Sequence, residues 1–180
     1  MTNANDEAIK AVLDGKNKIL LFRKLSEQNT EAAKLAFQTS HTFSYSRELN
    51  SIVTKDGRIV RPGELESEVS VEAIQSKRDP LASMLKEAVI KGEKLELWEV
   101  TVDEDLKDVD GKYPAVYAQG YLGEWEEEAG SEDEATISST FMVEMEPQFG
   151  YATLTEEQEQ AAQYAFKDTV AGEEGGGVEG

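Results

Sequence analysis

The chain has 180 residues, 18 Lys plus Arg against 37 Asp plus Glu, a net charge of −19, and 39% apolar residues. That composition supports one packed core of ordinary size rather than two, and no apolar run approaches the roughly 20 residues a membrane helix needs. With no cysteine at all, a disulfide scaffold, a thiolate zinc site and a cysteine nucleophile are excluded together.

The first 15 residues are polar, with a weakly helical string from Asp6 to Leu13 that Gly15 stops. They read as an arm, and without a basic start and an apolar stretch they do not read as a secretory signal. Ile19 to Phe22, flanked by lysine and arginine, predicts a strand, and Ser26 to Thr30 a turn. From Phe37 the period becomes two: Phe37, His41, Phe43 and Tyr45 on one face, Ser40, Thr42, Ser44 and Ser46 on the other, as in a half-buried strand. Residues 47–63 hold two turn dipeptides, Asp56-Gly57 and Pro62-Gly63, and predict a long hairpin-like loop projecting from the sheet. The strand that follows divides cleanly. Glu64, Glu66, Glu68, Ser70 and Glu72 point one way, and Leu65, Ser67, Val69, Val71 and Ala73 the other, giving a wet acidic face and a core face.

Asp79-Pro80 opens the clearest helix, with Asp79 as N-cap and proline where its missing N–H is harmless. Leu81, Met84, Leu85 and Ala88 form its buried stripe, and Gly92 ends it. Three further strands are expected: Leu95 to Val102, apolar on both faces as in a central strand; Tyr113 to Trp125, with Tyr113, Tyr117, Tyr121 and Trp125 in one register; and Thr136 to Glu146, with Ile137, Phe141, Val143 and Met145 inward. The loops between them, 103–111 and 126–134, are acidic. A last helix begins at Thr155 with Gln158 as its capping-box partner, and Ala161, Ala162, Ala165 and Phe166 form its apolar side. Residues 169–180, rich in glycine and glutamate, read as a flexible tail. The expected fold is mainly β, a β-sandwich or open barrel over residues 16–168 with a flanking helix and a C-terminal helix.

The charge is segregated. Residues 1–92 carry 14 basic and 13 acidic side chains, residues 93–180 carry 4 and 24. Such asymmetry allows an acidic patch on one copy to meet a basic patch on another.

No chemistry-bearing motif is present: no phosphate-cradling glycine loop, dinucleotide fingerprint or nucleophile elbow. His41 is the single histidine, so a histidine-rich metal site is excluded, and beside Phe43 and Tyr45 it reads as a partly buried core imidazole. The loop 103–111 fails as a calcium loop, because taking Gly111 as the loop glycine puts Leu106 and Tyr117 at ligand positions. Neither a catalytic residue nor a cofactor is expected. The chain reads as a building block, with a monomeric β-sandwich adhesion or carbohydrate-binding module as the alternative, its stacking platform made of Tyr117, Tyr121 and Trp125.

Seven segments resemble, in order, the major tail tube proteins of long non-contractile-tailed bacteriophages: K-L-A-F-Q-T (34–39), S-x-S-R (44–47), T-K-D-G-x-I-V-x-P-G (54–63), D-P-L (79–81), E-L-W-E-V (96–100), D-G-K-Y-x-A-x-Y-x-Q-G-Y (110–121) and Q-Y-A-F (163–166). The resemblance implies a β-sandwich subunit closing into hexameric rings that stack as a tube, with neighbouring sheets joined around a lumen through which DNA passes without specific binding. It implies a virion protein assembled in the host cytoplasm, with itself, tape measure, tail terminator and baseplate proteins as partners. The loop that reaches the next ring matches Thr54, Lys55, Asp56, Gly57, Ile59, Val60, Pro62 and Gly63; Arg47, Ile52, Val53, Arg58 and Arg61 complete it here. Two hypotheses follow. Arg47, Lys55, Arg58 and Arg61 dock against acidic loops of the adjacent ring, and Glu64, Glu66, Glu68 and Glu72 line the lumen, where like charge keeps DNA sliding.

Overall fold

The computed structural model describes residues 12–162. The Gly/Glu-rich tail, the Q-Y-A-F segment, Ala165, Phe166 and most of the expected N-terminal arm lie outside the described residues. The elements are β1 (Lys18–Lys24), β2 (Ala33–Lys34), β3 (Gln38–Thr54), β4 (Gly57–Ile74), α1 (Pro80–Lys91), β5 (Leu95–Thr101), β6 (Tyr113–Glu128), β7 (Thr136–Val143), β8 (Gln148–Ala152) and α2 (Glu156–Ala162). The strands form one antiparallel sheet in the order β2-β1-β5-β6-β7-β4-β3, with β8 paired to β6 beside that path. The fold is therefore mainly β, as expected, but its two halves are hydrogen-bonded through β6 rather than separate layers.

Long β6 makes this possible. Its first half pairs with β5 and β8, and its second half, from Gly120, pairs with β7. At that switch a Cβ on Gly120 would stand 1.9 Å from the carbonyl oxygen of Met142, so the corner requires glycine because two backbones approach closely. Leu20 and Phe22 of β1, Leu95 and Leu97 of β5, Ala118 and Leu122 of β6, Phe141 of β7 and Val69, Val71 and Ala73 of β4 then enclose one core, with Leu81, Leu85 and Ala88 of α1 packed against it. A smaller cluster on the opposite face joins Ile19, Leu21, Val100, Val102 and Tyr113, with Leu154 and Ala162 against it.

The helix boundaries match the sequence expectation. Asp79 caps α1 twice: one carboxylate oxygen accepts from Leu81 N at 2.9 Å, the other from Ala36 N at 2.9 Å. The cap thus ties the helix to the segment before β3. Gly92 closes α1 in the left-handed conformation. At α2, Thr155 N donates to Gln158 Oε1 and Gln158 N to Thr155 Oγ1, the reciprocal pair expected.

Three expectations are corrected. Phe37 is not on the core face: it precedes β3 in the left-handed region, φ +51°, with the residue 64% exposed, and a register shift follows between Gln38 and Ser40. A second shift, between Leu122 and Glu124, breaks the aromatic register of β6. Met145 falls beyond β7 and is exposed. Strands β2 and β8 carry too few residues with a clear alternation to be read from sequence.

Candidate assembly surface

Residues 47–63 are not a loop but the outer half of a two-stranded β-ribbon. Strands β3 and β4 pair from Gln38↔Ala73 out to Thr54↔Gly57, leaving Lys55 and Asp56 as the turn. Gly57 has φ +137°, which favours glycine, and Thr54 Oγ1 donates to its carbonyl at 2.8 Å. The third strand, β7, joins β4 only from Glu68 inward. Beyond that point the ribbon stands alone for about 35 Å, at roughly 3.3 Å per residue.

Among the described residues nothing covers it. Arg47, Ile52, Val53, Thr54, Lys55, Asp56, Gly57, Arg58, Ile59, Val60, Arg61 and Pro62 are all exposed, and Gly63 is half-buried. Directly opposed residues share a face, so Ile52 and Ile59 lie on one side with Arg61, while Val53 and Val60 lie on the other with Arg58. Each side therefore carries an apolar pair and a guanidinium. Internal polar bonds are few: Arg58 donates to Ser51 Oγ at 3.0 Å and Arg47 to the Gly63 carbonyl at 2.8 Å. Exposed contiguous apolar surface on an otherwise charged protein marks an interaction site.

The alternation over 64–74 is as expected: Glu64, Glu66, Glu68 and Glu72 are exposed, while Ser67, Val69, Val71 and Ala73 are buried. Strand pairing extends that wet face sideways. Glu66, Glu68 and Glu72 stand opposite Ser46, Ser44 and Ser40 on β3, and Glu68 and Glu72 also stand opposite Met142 and Ser138 on β7. Next to β7, β6 adds Glu124 and Glu126, opposite Thr140 and Ser138, and Glu128, opposite Thr136. Ser40 donates to Glu72 at 3.0 Å and Ser138 to Glu126 at 3.3 Å. No lysine or arginine pairs with these glutamates among the described residues. The face is a sheet of hydroxyls and carboxylates interrupted by the exposed Met142.

Two acidic loops differ in how their charge is used. In 103–111 three of the five carboxylates are engaged internally, while Asp105 and Asp110 are exposed: Asp103 accepts from Asp105 N, Asp108 from Asp110 N and Lys112 N, and Glu104 binds the Tyr113 hydroxyl and Lys107. Glu159 of α2 joins the same clasp, accepting from Tyr113 and Lys107. The Tyr113 hydrogen bond, then that of Lys107, holds the Glu159 carboxyl below its ordinary value. The expected loop 126–134 begins later, because β6 runs to Glu128: Glu127, still in β6, pairs with Lys86 of α1, while Glu132, Asp133 and Glu134 in the turn to β7 are exposed. No group of acidic or histidine side chains among the described residues is arranged to hold a metal ion.

His41 is partly buried, as read from the sequence, but it has an acidic partner that the sequence did not identify. Its Nε2 lies 2.8 Å from Glu99 Oε2 on β5, and Lys18 Nζ lies 3.2 Å from Oε1 of the same carboxylate. Burial pushes the Glu99 carboxyl up, yet the hydrogen bonds from His41 and Lys18 outweigh it and hold the group below its ordinary value. A second buried glutamate, Glu96, binds Arg23 at 2.7 Å and the Tyr117 hydroxyl at 2.7 Å. Both carboxylates crosslink neighbouring strands through these cationic and hydroxyl partners. Sequence patterning could not find them, because glutamate inside a central strand looks like a solvated position.

The carbohydrate platform is not formed. Tyr117 packs on Trp98 on one face of β6, ring centroids 5.1 Å apart. After the shift at Leu122/Glu124, Trp125 lies on the other face, against the main core, and binds Glu127 through its ring N–H.

A family model described as phage tail tube protein matches residues 12–149. Tail tube protein gp17.1* of Bacillus phage SPP1 is 29% identical over 108 residues, 60% of this chain and 40% of that relative. The chain thus spans less than half the length of the curated relative it matches. The SPP1 tail tube structure is similar with a TM-score of 0.72 at 20% identity, covering 90% of this chain and 96% of that one. The tail of a gene transfer agent particle is similar with a TM-score of 0.63 at 14% identity, over 77% and 99%. At these identities the structural likenesses establish the fold.

Proposed function

Because the chain belongs to the phage tail tube protein family, we propose that it polymerises as hexameric rings stacked into the tail tube of a phage with a long, non-contractile tail. The tube is the conduit for DNA, and the chain acts in it as structure, without catalysis. The observation that carries this reading is the bare ribbon 47–63: five large apolar side chains, Leu49, Ile52, Val53, Ile59 and Val60, are exposed on an arm with no core of its own. A neighbour that buries them gains on the order of 1.5–3 kcal/mol per side chain before ordering costs.

In this reading the ribbon reaches the adjacent ring, and Arg47, Lys55, Arg58 and Arg61 meet acidic groups there. Exposed ion pairs are each worth less than about 1 kcal/mol, so charge sets register more than affinity. The carboxylate face built on Glu64, Glu66, Glu68 and Glu72 lines the lumen and repels the DNA phosphates. Tape measure, terminator and baseplate proteins are the partners this assembly requires, and the host cytoplasm is where it forms.

Electron microscopy of the purified protein tests the reading. Rings or tubes are expected; a dispersed monomer at every concentration and salt tried overturns it.

A further inference from the structure

The sheet topology sets a second exposed surface at the end of the subunit opposite the ribbon tip. Strand β4 runs from the ribbon tip at Gly57 to Ile74, about 55 Å away at 3.3 Å per residue. There β7 begins opposite it, Ile74↔Thr136, and β6 ends beside β7, Glu128↔Thr136. Phe37 closes the same end, its carbonyl accepting from Ile74 N at 3.0 Å.

This end mirrors the ribbon in chemistry. Phe37 and Ile74 are exposed apolar side chains, and Phe37 is held at φ +51°, a conformation that costs a non-glycine residue of order 1–3 kcal/mol. Beside them a groove is lined by Thr39, Glu72, Ala73, Glu126, Glu128 and Thr136. Of the two acidic loops, 103–111 engages Asp103, Glu104 and Asp108 with its own backbone, Tyr113 and Lys107. Among the described residues Glu72 and Glu126 accept from serine hydroxyls and pair with no lysine or arginine.

Resting on the tail-tube reading, we infer that the Phe37–Ile74 end and its groove receive the basic ribbon of a second copy in the next ring. Apolar pairs of the ribbon cover Phe37 and Ile74, while Arg58, Arg61 and Lys55 meet Glu126 and Glu128. The contact is heterologous, tip to base, so it repeats without closing and generates a filament along the stacking direction.

Three measurements test it on the full chain. First, because the protein contains no cysteine, Lys55→Cys with Glu128→Cys gives one crosslinkable pair per contact, too far apart to close within a subunit. Under oxidation a ladder of linked chains is expected on a non-reducing gel, and none from Lys55→Cys with Asp105→Cys. A ladder from the second pair and not the first overturns the assignment. Second, Glu126→Lys with Glu128→Lys leaves rings but stops stacking at low salt, and mixing that variant with Arg58→Glu/Arg61→Glu restores tubes of alternating rings. If Glu126→Lys/Glu128→Lys stacks like the parent, or the mixture stays unstacked, the receptor is misplaced. Third, Phe37→Gly removes the backbone strain, so subunit stability is equal or higher. Yet the protein concentration at which tubes appear rises by about tenfold, from the loss of one buried aromatic contact; an unchanged concentration overturns the role of Phe37. Failure of the unmodified protein to form rings or tubes overturns the tail-tube reading and this inference together. Normal tubes from the groove variants overturn this inference alone.

Discussion

Glu99 Oε2 lies 2.8 Å from His41 Nε2 and thereby joins β5 to β3, strands that share no ladder in the sheet. The contact holds the root of the ribbon against the opposite half of the fold, and Lys18 completes it from β1.

Replacing Glu99 with glutamine leaves Lys18 without its ionic partner and is expected to destabilise the subunit by about 2 kcal/mol at neutral pH. The pH dependence has a definite sign. The folded-state carboxyl sits below its ordinary value, so its contribution is present above the unfolded pKa of about 4.3. It is lost as pH falls through the lower folded value. Urea denaturation of both proteins between pH 3 and pH 7 checks this; a stability difference that grows on acidification is the contrary result.

At the sheet corner, Gly120→Ala forces a methyl group into the carbonyl of Met142. Backbone cannot give way as a flexible side chain would, so the expected loss is about 3 kcal/mol or more, with β6 and β7 separating first. Hydrogen exchange at the amide of Glu144, bonded to Gln119 O at 2.9 Å, reports the opening. Gly150→Ala is the control, since its Cβ meets nothing within 4 Å.

The clasp on α2 responds to acid in the same direction. The folded Glu159 carboxyl lies below its ordinary value because Tyr113, then Lys107, bind it. The docking it provides is complete above the unfolded pKa and is lost as pH falls through the folded one. Tyr113→Phe removes the hydroxyl and keeps the ring against Val100 and Val102, so it loosens α2 while the sheet survives. Limited proteolysis near Thr155 is expected to accelerate in this variant at pH 7 and in the parent only on acidification.

The contrast between α1 and these clusters shows what the sequence could carry. Asp79, Pro80 and Gly92 act on their own neighbours, so the helix bounds were legible to the residue. The split of Glu64 to Ala73 was legible because one face meets water and the other meets core. The His41–Glu99 and Arg23–Glu96 pairs bridge residues 58 and 73 positions apart, and no local pattern encodes such a pairing. The aromatic register of β6 failed for a related reason: a single inserted residue at 122–124 reverses every later side chain. Residues 47–63 read as a hairpin-like loop from Asp56-Gly57 and Pro62-Gly63; the hairpin is present, but its arms are regular strands that no core-facing alternation marks, since both faces are exposed.

That bareness separates stability from assembly. Ile52→Ser with Val60→Thr removes apolar surface that the isolated subunit does not bury, so its unfolding midpoint is expected to stay within about 0.5 kcal/mol of the parent. Tube formation is expected to fall at least tenfold in effective concentration, since each buried β-branched side chain is worth about 1.5 kcal/mol or more. Sedimentation of tubes against monomer concentration measures the second quantity and denaturant unfolding of monomer the first. A matched loss in both would place these side chains in the subunit core instead.

The carboxylate face is tested by giving it the opposite charge. Glu64, Glu66, Glu68 and Glu72 are exposed and, among the described residues, unpaired with cations, so Glu66→Lys with Glu68→Lys changes the field on that face with little effect on packing. If the face lines the lumen, tubes of this variant retain DNA at low salt and release it as salt rises, with a slope set by the number of phosphates neutralised. Placed on the exterior the same substitutions would also bind DNA, so the discriminating measurement is nuclease protection. DNA held inside the tube is shielded, whereas DNA on the outer wall is cut. Shielded DNA supports the lumen assignment, and a cryo-EM reconstruction with these four glutamates on the outer wall ends it.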